Sequence, residues 1–276
     1  FRRVLFRSPL CAQFGREKST EVKYFGISQK VLPQLNDTKE GRFCPVCGAE
    51  QEYNYYHYSQ LGDYHCPKCG FKRPKIDFEV KNVELGTPMK FTVNSEPMEV
   101  NYKGFYNIYN LIAVYAALNT VGESTKDFAA LLENYRPQIG RMQEFAFNKP
   151  VILSLSKNPA GFNQNISAVM QDKSPKDIII AINDNAQDGT DISWLWDVDF
   201  DLLGEESIRS ITVSGIRCQD MRLRLKYVDI PSMLENDVET AIRKRIEDGC
   251  GNLYVLVNYT ALFGTRNILK KLEGEK

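Results

Sequence analysis

Two copies of the same five-residue pattern, C-P-x-C-G, constrain this chain more than any other feature of its sequence. The copies begin at Cys44 and Cys66, with eighteen residues between Cys47 and Cys66. Two residues between cysteines let one turn direct both sulfurs at a single ion, and the glycine lets the chain fold back. Four thiolates favour tetrahedral zinc in a closed, structural site. We therefore predict a zinc ribbon over residues 41–74, with the ligands Cys44, Cys47, Cys66 and Cys69.

The cysteine pattern leaves alternatives open. A disulfide pair or a redox C-x-x-C motif would use the same residues, although the doubled spacing favours a metal. A nucleic-acid-binding ribbon is a functional alternative, because neighbouring rings could stack on bases. These rings belong to Tyr53, Tyr55, Tyr56, His57 and Tyr58. Because a hairpin this small has almost no other core, packing is the simpler role for these rings. With four cysteines present, the metal needs neither His57 nor His65 as a ligand.

Charge and hydropathy exclude several classes of protein. The 35 basic residues balance 35 acidic ones, so no overall field attracts nucleic acid or an anionic membrane. Hydrophobic residues make up 43% of the chain and charged residues 25%, as in folded globular proteins. No apolar run approaches the ~18 residues of a membrane span, and residues 1–8 lack the apolar core of a signal peptide. With an odd number of cysteines, seven, we expect a soluble protein of a reducing compartment without an integral membrane segment.

The chain before residue 144 is predicted to contain both strands and helices. Turns break its first forty residues, and three strands follow the ribbon, at residues 76–80, 89–93 and 98–102. Apolar residues at helical spacing predict a buried helix over residues 105–121. A capping box of Ser124 and Asp127 opens a second helix, which ends before Pro137.

Beyond that point short apolar runs alternate with amphipathic stretches. We predict strands at residues 151–155, 178–182, 211–213 and 253–257, and helices at residues 163–170, 219–225, 232–247 and 265–272. This alternation implies a mostly parallel sheet with helices on both faces. The expected fold class is α/β, with one domain over residues 1–143 that carries the ribbon and a Rossmann-like C-terminal domain over residues 144–276.

Three short motifs occur in an informative order. They are G-F-Y-N-I-Y-N at residues 104–110, G-R-M-Q-E-F at residues 140–145 and K-N-P-A-G-F-N at residues 157–163. This order resembles the Mur ligases. In that family G-x-H-N-x-x-N begins a helix beside the adenine of ATP, G-R-x-E joins the middle and C-terminal domains, and an N-P loop opens the C-terminal domain. The first domain is thus expected to be the later part of a Mur ligase middle domain.

The departures from these motifs are themselves informative. Tyr106 replaces the family's first histidine, Gln143 replaces its linker glutamate, and Lys157 stands where many members have the histidine of H-N-P. With the inserted ribbon and the runs at residues 157–164 and 183–197, the chain is similar to the Mur-ligase-like subunits of lipid II isoglutaminyl synthases from residue 9 onward.

The phosphate-binding loop G-x-x-x-x-G-K-[ST] does not occur in the sequence. In the resembling family it lies upstream of the point where this chain begins. We therefore expect a chain truncated at its N-terminus, with an unrelated leader at residues 1–8, that does not hydrolyse ATP alone.

The resemblance implies a two-subunit reaction. A GatD-like class I glutamine amidotransferase would release ammonia from glutamine. The complete ligase subunit, using ATP and Mg²⁺, would phosphorylate the α-carboxyl of D-glutamate in the lipid II stem peptide, and ammonia would convert the acyl phosphate to D-isoglutamine. The reaction would take place in the cytoplasm, at the inner face of the plasma membrane.

The family motifs also assign candidate nucleotide contacts, namely Asn107, Asn110, Arg141, Lys157 and Asn158. An amide matches the donor and acceptor edges of adenine, and a guanidinium suits phosphate or ribose oxygens. Each residue has a structural alternative. The two helical asparagines could cap the helix, Arg141 could form a salt bridge at the domain boundary, and Lys157 with Asn158 could form a turn before Pro159.

An acidic stretch follows the predicted strand at residues 178–182, because no basic residue lies between Lys176 and Arg209. It could be a solvated acidic face. However, open α/β sheets place their sites at the carboxyl ends of strands. The resemblance implies that an aspartate here completes the partner's Cys-His pair, with Asp191 the first choice by motif position and Asp197 the second.

Three functions remain as hypotheses at this point. The leading one is an ATP-dependent amide ligase subunit in peptidoglycan synthesis. The alternatives are a noncatalytic scaffold that docks a glutaminase and a zinc-ribbon module that binds nucleic acid, the latter disfavoured by the balanced charge.

Overall fold

The computed structural model of this chain describes residues 3–6, 8–16, 21–31, 41–58, 60–101, 103–134, 139–248 and 251–274. The chain divides into two compact units, Phe1–Arg136 and Pro137–Lys276. The G-R-M-Q motif therefore belongs to the second unit. Part of the leader, residues 1, 2 and 7, lies outside the described residues, as does Cys250, one of the three cysteines beyond the two knuckles.

The first unit is built on a mixed five-stranded sheet and a separate hairpin. Its strands are β1 (Arg3–Phe6), β2 (Val22–Ile27), β3 (Glu52–Tyr58), β4 (Leu61–His65), β5 (Phe78–Glu84), β6 (Met89–Val93) and β7 (Glu96–Val100). The sheet has the order β1-β2-β5-β6-β7, with the first three strands parallel and the last three antiparallel. The antiparallel pair β3-β4 is the hairpin of the ribbon. Its helices are α1 (Pro9–Arg16), α2 (Tyr106–Val121) and α3 (Phe128–Asn134).

Helix α2 supplies much of the first unit's core. Its buried residues Ile108, Ile112 and Tyr115 recur at helical spacing and join the sheet residues Val80 and Val100 in one cluster. Each fully buried aliphatic side chain of this kind contributes about 2 kcal/mol. The helix ends in a left-handed glycine cap at Gly122, where φ is 90°, so that the helix predicted over residues 105–121 is confirmed.

The second unit is a doubly covered, mostly parallel sheet. Its strands are β8 (Gln143–Ala146), β9 (Pro150–Leu155), β10 (Lys176–Ala181), β11 (Ile208–Ser214), β12 (Met233–Leu234) and β13 (Asn252–Val257). They lie in the order β12-β11-β10-β13-β9-β8, and only β8 is antiparallel to its neighbour. The helices are α4 (Pro159–Gln171), α5 (Cys218–Lys226), α6 (Val238–Glu247) and α7 (Tyr259–Gly274), with 3₁₀ helices at Ser193–Asp197 and Phe200–Gly204.

The central strand β10 shows why this sheet needs helices on both faces. Ile178 and Ile180 belong to one core cluster with Phe162 of α4, whereas Ile179 belongs to a second cluster with Leu269 of α7. A strand that is buried on both faces reads as a continuous apolar run, which is the pattern that predicted it. The α/β class expected from the sequence is confirmed.

Two local predictions are wrong. The predicted helix over residues 232–247 begins only at Val238, because residues 233–234 form the edge strand β12 and the side chain of Asp237 accepts the N–H of Thr240 as a helix cap at 2.7 Å. The first forty residues carry β1, α1 and β2, which the sequence analysis did not predict because turn residues interrupt that region. Across the described segments, no helix combines the length and apolarity needed to cross a bilayer.

Candidate functional site

The two cysteine knuckles have the same backbone geometry. In the first, the N–H of Cys44 donates to Ala49 O at 2.7 Å and Gly48 donates back to Cys44 O at 2.9 Å. In the second, Cys66 and Gly70 form the equivalent bonds at 2.7 and 3.0 Å. Both glycines adopt a φ near +70°, a conformation that other residues rarely adopt, which explains the last position of each C-P-x-C-G copy.

The four thiols converge. Their sulfur atoms all lie within 4.8 Å of one another, and the Cys44–Cys69 and Cys47–Cys66 pairs are each 3.6 Å apart. Sulfurs around a tetrahedral ion at 2.3 Å would be about 3.8 Å apart, whereas a disulfide requires about 2 Å. The thiols influence one another: the backbone N–H of Cys69 is the main cause that lowers the pKa of Cys66 to about 7. Against the lowering effect of the Phe71 N–H, burial and the other three thiols raise the pKa of Cys69. The four side chains fit one metal ion.

The ring side chains of the hairpin pack within the protein. Tyr64 and Phe71 form a small core with Cys44 and Cys66, and the ring of Tyr53 lies 5.9 Å from that of Tyr64. On the other part of the hairpin, the ring of Tyr58 makes edge contacts with the rings of α2. The tyrosines thus have the packing role that the size of the hairpin suggests.

His57 forms a connection that the sequence did not indicate. The side chain is 5% exposed; its Nε2 lies 2.7 Å from Gln29 O and its Nδ1 lies 2.6 Å from the hydroxyl of Tyr109. A carbonyl can only accept, so Nε2 carries the proton and Nδ1 accepts from Tyr109. Burial lowers the pKa of His57 to about 4. His65, by contrast, is half-buried, and its Nε2 lies 3.1 Å from Glu52 Oε2.

The two predicted adenine contacts share the first turns of α2. Asn107 is buried; its Nδ2 donates to Lys103 O at 2.8 Å and its Oδ1 accepts from Asn110 at 3.4 Å. Asn107 therefore does not cap the helix in the usual way, because a cap accepts a backbone N–H. Asn110 is exposed and keeps amide hydrogen-bonding capacity for a ligand.

Arg141 lies in the turn that leads into β8. Its side chain is exposed and forms no ion pair with a described residue. The turn is fixed on both sides, because Gly140 O accepts the N–H of Leu155 at 2.7 Å and the N–H of Met142 reaches Ser154 Oγ at 3.4 Å.

Lys157 and Asn158 lie at the start of α4. Asn158 caps this helix, since its Oδ1 accepts the N–H of Gly161 at 2.8 Å and Pro159 follows it, whereas Lys157 is exposed. Asn107 and Asn110 belong to the first unit, and Arg141, Lys157 and Asn158 belong to the second. The structure thus brings the two helical asparagines together and places the other three residues around the end of β9.

Asn165, which the motif analysis overlooked, organises that strand end. It is 2% exposed, and its Nδ2 donates to Leu155 O and to Ser156 Oγ, both at 2.8 Å. Its Oδ1 accepts from Ser154 Oγ at 2.8 Å. A buried polar side chain this fully bonded fixes the strand that leads to Lys157.

The loop after β10 is anchored to the start of α7. Asp188 accepts the backbone N–H of Thr260 at 2.8 Å and also bonds its hydroxyl, while Asn185 Nδ2 donates to the same hydroxyl at 2.9 Å. Asp184 forms an ion pair with Arg217 at 2.7 Å. The carboxylates of Asp184 and Asp188 are therefore already engaged in contacts within the protein.

Asp191 and Asp197 are exposed carboxylates at the two ends of one short segment. Asp191 Oδ1 accepts the N–H of Ser193, the first residue of the 3₁₀ helix Ser193–Asp197, at 2.8 Å, and this bond lowers the pKa of the carboxyl. Asp197 ends that helix, and Asp199 beyond it accepts from Asn163 Nδ2 at 2.7 Å. The structure therefore leaves Asp191 and Asp197 accessible, with Asp191 the more firmly oriented.

Comparison with known proteins identifies relatives of this chain. A family profile described as MurT ligase C-terminal matches residues 155–262. The MurT subunit of the glutamine-hydrolysing lipid II isoglutaminyl synthase of Staphylococcus aureus is 36% identical over 248 residues, which cover 88% of this chain and 56% of that protein. The corresponding MurT of Streptococcus pneumoniae is 32% identical over 258 residues, covering 90% and 57%. The chain thus spans about half the length of the curated relatives it matches.

Solved structures support the same fold. A pseudomurein peptide ligase type C from Methanothermus fervidus aligns with a TM-score of 0.74 at 20% identity, over 98% of this chain and 56% of that one. MurF from Acinetobacter baumannii aligns with a TM-score of 0.63 at 13% identity, over 100% and 52%. At these identities the likeness shows a Mur-ligase-like fold.

Proposed function

We propose that this chain forms part of the ligase subunit of a two-subunit lipid II isoglutaminyl synthase, because 88% of it aligns at 36% identity with such a subunit, MurT. The similarity to MurT along most of the chain carries this proposal. Asp191 supports the proposal on chemical grounds, because it is an exposed carboxylate inside the region that matches the MurT ligase C-terminal profile.

The proposed reaction needs ATP because a carboxylate has no good leaving group. The carboxylate of D-glutamate in the stem peptide is a poor electrophile, so the γ-phosphoryl group of ATP is transferred to one of its oxygens and ADP is released. Ammonia then forms the new C–N bond and loses a proton while phosphate leaves, which gives D-isoglutamine. A GatD-like glutaminase supplies the ammonia, and the reaction takes place in the cytoplasm at the inner face of the membrane.

Asp191 is proposed to act on the glutaminase and not on the ligase substrate. A carboxylate that accepts the N–H of the partner's histidine fixes its tautomer and stabilises the imidazolium that forms when the cysteine loses its proton. Asp191 suits this role because it is exposed, oriented by Ser193 and favoured in its ionised form. Asp197 is the second candidate.

The cysteine cluster is proposed to bind one structural zinc ion. Four protein thiolates complete a tetrahedral shell, so no position stays open for water or substrate. Metal analysis of the purified protein should give about one zinc per chain, and Cys44→Ser combined with Cys47→Ser should abolish it. Full zinc content in that double variant would show that these cysteines are not the ligands.

The nucleotide contacts are proposed from the positions of the family motifs. Asn107 and Asn110 would face the adenine, and Arg141, Lys157 and Asn158 would contact ribose or phosphate oxygens, with Mg²⁺ bound alongside the phosphates. The exposure of Asn110, Arg141 and Lys157 is consistent with this role, while Asn158 Oδ1 is already occupied by its helix cap.

Transfer of an isotopic label tests the reaction. The synthase assembled from the GatD-like glutaminase and a ligase subunit that contains this chain together with a phosphate-binding loop receives lipid II, ATP, Mg²⁺ and glutamine labelled with ¹⁵N in its side-chain amide. We expect the label in the α-carboxamide of D-isoglutamine, with one ADP formed per amide. If the partner binds and releases labelled ammonia but no amide forms under any condition, the scaffold alternative is the better description.

A further inference from the structure

The ribbon hairpin belongs to two cores at once. Tyr64 on β4 is packed with Cys44 and Cys66 in the small core beside the cysteine cluster. Leu61 on the same strand is buried in the main core of the first unit, and Tyr58 of β3 packs against that core. The hairpin therefore forms a continuous packed path from the knuckles to the main core.

His57 makes the hydrogen-bonded contact between the hairpin and α2. Its ring lies 5.0 Å from the ring of Phe105 in an edge-on arrangement, and its Nδ1 accepts the hydroxyl of Tyr109. On the opposite side its Nε2–H donates to Gln29 O, and Gln29 Oε1 in turn accepts the N–H of Val83 in β5. The imidazole thus links the hairpin, the helix and the sheet by directional bonds, all of them within the first unit.

The first turn of α2 has no side-chain cap. Phe105 occupies the cap position and offers no side-chain acceptor, and the turn contains no acidic residue. The terminal N–H groups of a helix have no intrahelical partners, so a turn without a cap depends on tertiary contacts. Here those contacts come from His57 and Tyr58, whose rings surround Phe105.

We propose that His57 is a positioning residue through which the cysteine cluster controls the order of the first turn of α2. Metal at the cysteines fixes the hairpin, the hairpin fixes the imidazole, and the imidazole fixes the turn that carries Asn107 and Asn110. The consequence for adenine binding rests on the proposed function, whereas the coupling between the cluster and the turn does not.

Hydrogen exchange measures this coupling directly. The amides of Asn107 and Ile108, which donate to Gly104 O and Phe105 O, report the first turn, and those of β6 report the rest of the unit. We expect zinc removal by a chelator, and separately His57→Gln in the zinc-loaded protein, to accelerate exchange of the two turn amides at least tenfold more than that of β6. His65→Gln changes the chain's other histidine, on the same hairpin, and should leave the turn unaffected.

A milder variant distinguishes the proposed coupling from general unfolding of the protein. Tyr109→Phe removes only the hydroxyl and keeps the ring, so it should retain full zinc content and still accelerate exchange of the turn amides. The ¹⁵N spectrum of histidine should show His57 as the Nε2–H tautomer, with the Nδ1 resonance displaced in Tyr109→Phe. Equal acceleration of β6 and the turn, or unchanged turn exchange after zinc removal, would overturn the proposal.

Adenosine titration separates this inference from the function on which it builds. The side-chain amide resonances of Asn107 and Asn110 should shift with adenosine in the wild-type protein and require at least tenfold more adenosine in His57→Gln. No shift in the wild-type protein would reject the adenine role of these residues while the exchange result still stands. A shift of equal affinity in both proteins, with turn exchange unchanged in His57→Gln, would reject the positioning role.

Discussion

Lowering the pH from 7 to 5 should destabilise the first unit through His57. Burial is the main cause that lowers the pKa of this imidazole from 6.5 to about 4, the hydrogen bond to Gln29 O opposes that shift, and the charge of Arg73 adds to it. The unfolded chain binds the proton near pH 6.5, and the folded chain binds it only near pH 4. The stability associated with the neutral imidazole is therefore complete above pH 6.5 and is lost progressively as the pH falls toward 4.

The size of the effect follows from the two pKa values. Their difference of about 2.5, at about 1.4 kcal/mol for each pKa unit, sets a ceiling of about 3 kcal/mol. At pH 5 the unfolded histidine is nearly all protonated and the folded one is mostly neutral, so about 2 kcal/mol is lost relative to pH 7. This is a large fraction of the stability of a small domain.

Urea unfolding at the two pH values tests the argument. Exchange of the α2 and β6 amides reports unfolding of the first unit, and zinc content is measured in every sample because acid also weakens thiolate ligands. The pH-dependent loss should be smaller by about 2 kcal/mol in His57→Gln than in the wild-type protein, and unaltered in His65→Gln. An equal loss in the wild-type protein and His57→Gln would refute the reasoning.

Three further substitutions probe the second unit, each measured as the change in its unfolding free energy in urea. Asp188→Ala should cost about 1 to 2 kcal/mol, because the backbone N–H of Thr260 at the start of α7 loses its acceptor. No loss would show that the bond between Asp188 and Thr260 is dispensable. Gly140→Ala should cost about 1 to 3 kcal/mol, since φ is 76° and the new Cβ would lie 2.8 Å from Leu262 Cδ1; an unchanged value would refute the crowding. Asn165→Ala should cost about 1 to 3 kcal/mol, because Ser154 and Ser156 lose their shared partner, and a neutral result would contradict the buried network.

Features encoded by adjacent residues could be predicted from the sequence. The cysteine cluster was predictable because each C-P-x-C-G copy determines its own turn, and the two turns need only be brought together by a hairpin. The run at residues 178–182 and the helical spacing from Phe105 onward likewise specify β10 and α2 without reference to distant residues.

Features made by distant residues could not be predicted in this way. His57 and Tyr109 are 52 positions apart, and Asp188 and Thr260 are 72 positions apart, so no local pattern relates them. The sequence therefore indicated only a packing role for His57, and it ranked Asp191 above Asp197 by motif position without showing which aspartates are already bonded. Only the folded arrangement shows which carboxylates are occupied and which are exposed.

We propose above all that this chain contributes a carboxylate to the active site of a glutaminase partner. The most direct measurement is glutamine hydrolysis by the GatD-like subunit in complex with the wild-type chain and with Asp191→Asn, Asp197→Asn and Asp201→Asn. The Asp201 variant is the matched control, because this exposed aspartate lies in the same acidic stretch beyond both candidates. Asparagine preserves the acceptor for Ser193 N–H, so the loop conformation should be retained.

We expect Asp191→Asn to lower the rate of ammonia release at least about tenfold, with complex formation unchanged and with residual activity from the partner's own thiolate and oxyanion hole. The Asp201→Asn complex should hydrolyse glutamine at the wild-type rate. A fall confined to Asp197→Asn would transfer the role to that residue. Wild-type rates in all three complexes would contradict the claim that the chain completes the glutaminase site.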